Sequence, residues 1–132
     1  MKNRLTITKP TIMTQKSFNE WLDKISKTEK PSDEILAYYF GILETTNGYE
    51  TYLVGSKEFH EDDEDWACNT DFVPADKYLK LGQAETDWKQ ILDQVKNHIE
   101  NYTQTENFKN SFLRKAKAIA TGFDSGDLHI IR

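Results

Sequence analysis

The chain has 132 residues, enough for one domain with a real core, and carries 30% charged residues at a net charge of −5 with a mean hydropathy of −0.74. Seven Phe, six Tyr and three Trp supply large core pieces and argue against disorder. The acidic balance argues against nucleic acid as a partner, no apolar run nears the roughly 20 residues that span a bilayer, and a single cysteine, Cys68, excludes an intramolecular disulfide framework.

The first residues, "MKNRLTITKPTIMTQ", contain basic side chains but no apolar core or small-residue cleavage site, so they do not read as a signal peptide. With the lone cysteine, this gives the expectation of a reducing, cytoplasmic location. Within that stretch "RLTIT" (4–8) alternates polar and apolar and is expected to form a short strand, interrupted at Pro10. "SFNEWLDKISK" (17–27) places Phe18, Trp21, Leu22 and Ile25 on one helical face, and Ser17 with Glu20 has capping-box spacing.

"EILAYYFGILETTNGYETYLVGS" (34–56) has two β-rich runs around "TTNG", which predicts a hairpin with Asn47-Gly48 in the positive-φ turn positions. The first run is apolar almost throughout and is expected to be a central strand covered on both faces. After the acidic stretch comes "DFVPADKYLKL" (71–81), in which Pro74 restricts any strand to an edge or a turn.

A long helix is predicted over about 84–103, with Trp88, Ile91, Leu92, Val95, Ile99 and Tyr102 in one stripe. "TENFKNSFLRK" (105–115) is expected to be a second, shorter helix with Phe108, Phe112 and Leu113 inward. "KAIATGFDSGDLHIIR" (117–132) predicts a second hairpin through "DSGD", offering Leu128, Ile130 and Ile131 to the core. The expected architecture is a single α+β domain over 1–132: a mostly antiparallel sheet of four to five strands with three helices packed on one side.

The charge is unevenly placed. Residues 1–30 carry seven Lys/Arg against three Asp/Glu, whereas residues 58–87 carry ten Asp/Glu against two Lys. Within "EFHEDDEDWACN" (58–69), Glu58, Glu61, Asp62, Asp63, Glu64 and Asp65 fall in eight positions. A calcium loop would need alternating oxygen ligands and a glycine, and neither is present. His60 has no second histidine nearby in sequence and no i, i+4 partner, so no metal or cofactor is expected. General acid–base use needs carboxylates in contrasting environments, which adjacent solvated groups do not offer.

Such a run repels itself, and a cationic partner would relieve the repulsion and be steered in by the field. Phe59, Trp66 and Phe72 border the charges, with Tyr49, Tyr52 and Tyr78 expected nearby; aromatics so placed resemble the energetic anchors of protein interfaces. The bland alternative is a solvated loop, with Trp66 and Phe72 tucked into the core. Cys68 has anionic neighbours, Asp65 and Asp71, the reverse of the setting a reactive thiolate needs, and is expected to be a buried structural residue behind Trp66. His98 is expected to be a satisfied boundary histidine and His129 to face away from Leu128 and Ile130. The cluster Lys109, Arg114, Lys115 and Lys117 suits the end of a helix or internal ion pairs.

The stretch "YFGILETTNGYETYLVGSKEFHEDDEDWACNTDFVP" (39–74) resembles small bacterial proteins of the immunity type, found beside polymorphic or contact-dependent toxins. The resemblance implies a non-enzymatic cytoplasmic inhibitor, without a cofactor, that binds a cognate toxin domain, often a nuclease with a basic cleft. It implies electrostatic roles for Glu58, Glu61, Asp62, Asp63, Glu64 and Asp65, and anchor roles for Trp66 and Phe59. Two other readings stay open at this point: a small enzyme using His60, Cys68 and nearby carboxylates, and a general interaction module. Nothing in the sequence requires more than a monomer or weak dimer.

Overall fold

The computed structural model describes residues 13–132; the strand expected over 4–8 lies outside them. Helix α1 is Gln15–Thr28, followed by the hairpin strands β1, Ala37–Thr45, and β2, Gly48–Ser56. The acidic stretch leads into a 3₁₀ turn at Asp65–Cys68, then β3, Tyr78–Gln83, α2, Trp88–Tyr102, and a short α3, Glu106–Lys109. A second 3₁₀ turn at Phe112–Lys115 precedes β4, Ala118–Phe123, and β5, His129–Ile130. The five strands form one mixed, mostly antiparallel sheet in the order β3-β2-β1-β4-β5, with β1 and β4 the parallel pair, so the fold is α+β. No helix among the described residues is long and apolar enough to cross a membrane.

β1 is apolar along most of its length because it is the middle strand, and its first six residues are all buried. Strand alternation sorts them. Tyr38, Phe40 and Ile42 join Leu53, Leu81 and Ile119 against Phe18, Leu22 and Ile25 of α1 and Ile91, Val95 and Ile99 of α2. Ala37 and Tyr39 point the other way, with Val54, Ala118 and Ala120. The helices cover the first face, and the acidic stretch covers the second through Trp66 and Phe59.

Several local expectations are corrected. The capping box of α1 lies three residues earlier: the Ser17 N–H donates to Thr14 Oγ1 and the Thr14 N–H to Ser17 Oγ, each at 3.0 Å, without Glu20. The hairpin loop is Thr46-Asn47, with Thr45 paired to Gly48; only Gly48, at φ 137°, has positive φ. Trp88 begins α2 at the end of its stripe and is 50% exposed, its ring edge-on to Phe123. The helix expected over 105–115 breaks at Asn110 and at Ser111, which is extended and whose hydroxyl donates to the Phe108 carbonyl at 2.8 Å. Ile130 is 54% exposed, because β5 is the outer strand and nothing among the described residues covers it.

Pro74 precedes β3, an edge strand as expected, which carries a bulge: Tyr49 pairs with Gly82 and Glu50 with Lys80, leaving Leu81 as the extra residue. Of the basic cluster, Lys109 pairs with Glu106 and Lys115 with Asp33, both on exposed surface.

His98 stacks on Phe18 at 5.6 Å, and its Nδ1 lies 2.6 Å from Gln15 Oε1. Burial lowers its pKa below the ordinary 6.5. A histidine lowered in the folded state favours folding while neutral, so the unfolded chain binds more protons as the pH falls. Stability is therefore expected to drop as the pH falls below about 6.5, with the loss complete below the folded pKa. Urea melts from pH 7.5 to 5 should show a shallower decline for His98→Gln than for the native chain; equal slopes would remove His98 from the acid response.

Candidate functional site: the acidic turn and the cavity beside it

The residues from Glu58 to Asp65 make a tight turn, with a bridge between His60 and Asp63. Its base is tied by the Lys57 N–H donating to Asp71 Oδ2 at 2.8 Å and the Glu58 N–H to Ser56 Oγ at 3.0 Å. Asn69 Nδ2 donates to Ser56 Oγ at 3.1 Å and to Glu58 Oε2 at 3.2 Å. At the other end the Asp65 N–H donates to Asp63 Oδ1 at 2.9 Å, starting the 3₁₀ turn that carries Trp66 inward.

Trp66 is 2% exposed and packs with Ala37, Ala118 and Ala120, where alanines leave room for an indole. Phe59 is half-buried and edge-on to Trp66, with centroids 5.5 Å apart. Both therefore fasten the turn to the sheet, and Trp66, expected as a partner anchor, is buried against the chain's own residues. Glu58, Glu61, Asp62, Asp63, Glu64 and Asp65 are all exposed. Among the described residues, the one salt bridge to this set is His60 Nε2 to Glu58 Oε1 at 3.3 Å.

Other aromatics divide between the two faces. Phe72 crosses to the helix side, packing edge-on to Tyr38 and Phe112, and Tyr49 also faces that side. Tyr52 stays on the second face, 6.0 Å from both Tyr39 and Tyr78. Its ring lies across Gly41, where a Cβ would collide with it, so the glycine is needed for this close approach.

Cys68 is exposed, not buried, because the 3₁₀ turn points it away from the sheet as Trp66 goes in. It opens on a cavity of about 440 Å³ between the acidic turn, the second sheet face and the β4–β5 turn. Tyr39, Tyr52, Glu64, Asp65 and Asp124 share that cavity. The Tyr52 hydroxyl donates to Asp124 Oδ1 at 2.5 Å and the Tyr39 hydroxyl to the Gly122 carbonyl at 2.9 Å. Burial pushes both phenols up; the hydrogen bond to Asp124 adds to this at Tyr52, and the charges of Asp124, Cys68 and Glu64 add to it at Tyr39.

Tyr39 and Asp124 were missed from the sequence. Tyr39 reads as one residue of an apolar strand, and Asp124 lies about 60 residues from the acidic run in a stretch that signals only a turn. Among the described residues no group of three or more His, Cys, Asp and Glu side chains is placed to hold a metal ion. His60 has Glu58 as its hydrogen-bond partner, while Cys68 faces the cavity with Glu64 and Asp65. A larger cavity of about 540 Å³ on the helix side mixes signs, with Lys115 there paired to Asp33.

Comparison of the chain with protein-family models, curated proteins and solved structures finds no match.

Proposed function

We propose that the protein is a non-enzymatic binding protein that engages a basic protein through its acidic turn, acting in the cytoplasm as an immunity-type inhibitor of a toxin domain. The observation that carries this reading is a turn of six exposed carboxylates fixed to the sheet by a buried tryptophan, with a single salt bridge, to His60, among the described residues. Fixing like charges together raises their mutual repulsion, and a cationic partner relieves it. Because the turn is already positioned, little ordering entropy opposes the encounter. Inhibition follows from occupying a basic cleft, and it needs no cofactor. A general interaction module would differ only in leaving its partner's activity intact.

The test compares the tagged chain with a variant carrying Asp62→Asn, Asp63→Asn, Glu64→Gln and Asp65→Asn in a pull-down from the native host. A basic protein is expected with the native chain and not with the variant. Its association rate should be about 10- to 1,000-fold slower with the variant at low salt. Toward about 1 M salt, where the Debye length is about 3 Å, the two rates should converge. Equal recovery by both chains would overturn the reading and leave the turn as solvated surface. Addition of the native chain should also abolish the partner's activity; an unchanged activity would leave an interaction module.

A further inference from the structure

We propose that the cavity beside the acidic turn is a receptor for a single guanidinium side chain, an arginine of the basic partner. This rests on the binding reading above and adds the chemistry of its central contact. The cavity, at about 440 Å³, falls within the roughly 300–1,000 Å³ of small-ligand pockets. Carboxylates reach it from two separate elements: Glu64 and Asp65 from the acidic turn, Asp124 from the end of β4. Tyr39, Tyr52 and Leu128 form its less polar walls, and no lysine or arginine among the described residues lines it.

The hydroxyl protons of both tyrosines are committed within the fold, to Gly122 and Asp124, so the phenol oxygens offer lone pairs to an incoming donor. Asp124 is exposed and accepts from Tyr52 through Oδ1, leaving Oδ2 as an acceptor. Outside the cavity, the chain's own Lys77 already sits over these rings, its Nζ 5.0 Å from the centroids of both Tyr52 and Tyr78, so inside the cavity the acceptors are the carboxylates and phenol oxygens.

Geometry separates guanidinium from ammonium. Five donors in a fixed fork can meet acceptors arriving from two directions, whereas an ammonium is a compact, strongly hydrated charge that gives up water less readily against tyrosine walls. The cavity combines dispersed acceptors with partly apolar walls, which is the setting that suits the weakly hydrated planar ion.

The test is a titration of the ¹⁵N-labelled full chain with N-acetyl-arginine methylamide and with the matching citrulline compound, its neutral near-isostere. The arginine compound is expected to give saturable amide shifts at Ala67, Cys68 and Gly126. The citrulline compound should bind about tenfold more weakly, the size of one charge-assisted hydrogen bond. Asp124→Asn, on exposed surface, should weaken the arginine compound by about the same factor. Equal binding of the two compounds to the native chain would overturn the proposal. Shifts confined to residues 61–63 would do the same. A basic partner captured through the acidic turn but held equally by Asp124→Asn would sink the arginine receptor and leave the binding reading intact. Arginine-selective binding without any captured partner would do the reverse.

Discussion

Trp66→Ala is expected to destabilise the fold by about 3–5 kcal/mol, the range for removing a buried large aromatic. Against a typical total of about 5–15 kcal/mol this is a large fraction. The side chain is 2% exposed and lies on the small-residue face of the sheet, so its loss leaves a cavity that Ala37, Ala118 and Ala120 cannot fill. Phe59 loses its edge-to-face partner in the same step. Trp66→Phe, which keeps a ring in the same place, should cost less. Urea denaturation followed by far-UV circular dichroism measures both. A loss below about 1 kcal/mol for the alanine variant would mean that the acidic turn is not fastened through this residue. Under the proposed binding role the carboxylates depend on Trp66 for their placement, so capture of a basic partner is expected to weaken even in buffer where the variant remains folded.

The second large effect is expected at the hairpin. Gly48 has φ 137°, a conformation that side chains rarely adopt, and a Cβ there would collide with the backbone carbonyl of Gly82 on β3. Backbone strain of this kind costs about 1–3 kcal/mol, and the collision adds displacement of the edge strand. Gly48→Ala is therefore expected to cost about 3 kcal/mol. Asn47→Ala should stay within about 0.5 kcal/mol, since Asn47 does not have positive φ. A turn with left-handed residues at both positions would reverse that contrast in part, by making Asn47 sensitive as well. Hydrogen exchange gives the second readout: amides of Tyr78–Gln83 should exchange faster in Gly48→Ala than those of β1. Uniform acceleration would place the damage in the whole domain rather than at the β2–β3 seam.

Much of the framework is legible because it follows local periodicity. Phe18, Trp21, Leu22 and Ile25 line the buried face of α1, and Ile91, Val95 and Ile99 that of α2, as their spacing predicts. The apolar run in β1 signals a strand covered on both faces, and Pro74 signals the edge position of the strand that follows. Misreadings gather where an element ends. Thr14 caps α1 with Ser17 at N3 making the reciprocal bond in place of glutamate, a T-x-x-S pattern outside the usual S/T-x-x-E/Q signature. Trp88 and Ile130 sit in apolar patterns but at the margin of the packed layers, where periodicity predicts a face without predicting whether anything covers it.

The candidate site divides along the same line. The six carboxylates of the turn are contiguous, so their density and sign are fixed by the residues alone. Which neighbouring aromatic points inward is a different matter, because it depends on how the chain leaves β2 and turns into the 3₁₀ segment. Trp66 went inward and Cys68 outward, two positions apart, since one turn of 3₁₀ helix places them on different sides. Phe72, seven residues beyond Asp65, ended on the helix side.

By itself the sequence determined the α+β class, the buried faces of both long helices, the central strand and the concentration of negative charge, because each is carried by residues within a few positions of one another. Only the tertiary structure decided that β4 returns beside β1 in parallel, bringing Asp124 and the β4–β5 turn against Tyr39, Tyr52 and the acidic turn. That juxtaposition arises from strand pairing and from indole packing on a small-residue sheet face, contacts between residues tens of positions apart that leave no periodic trace in the chain.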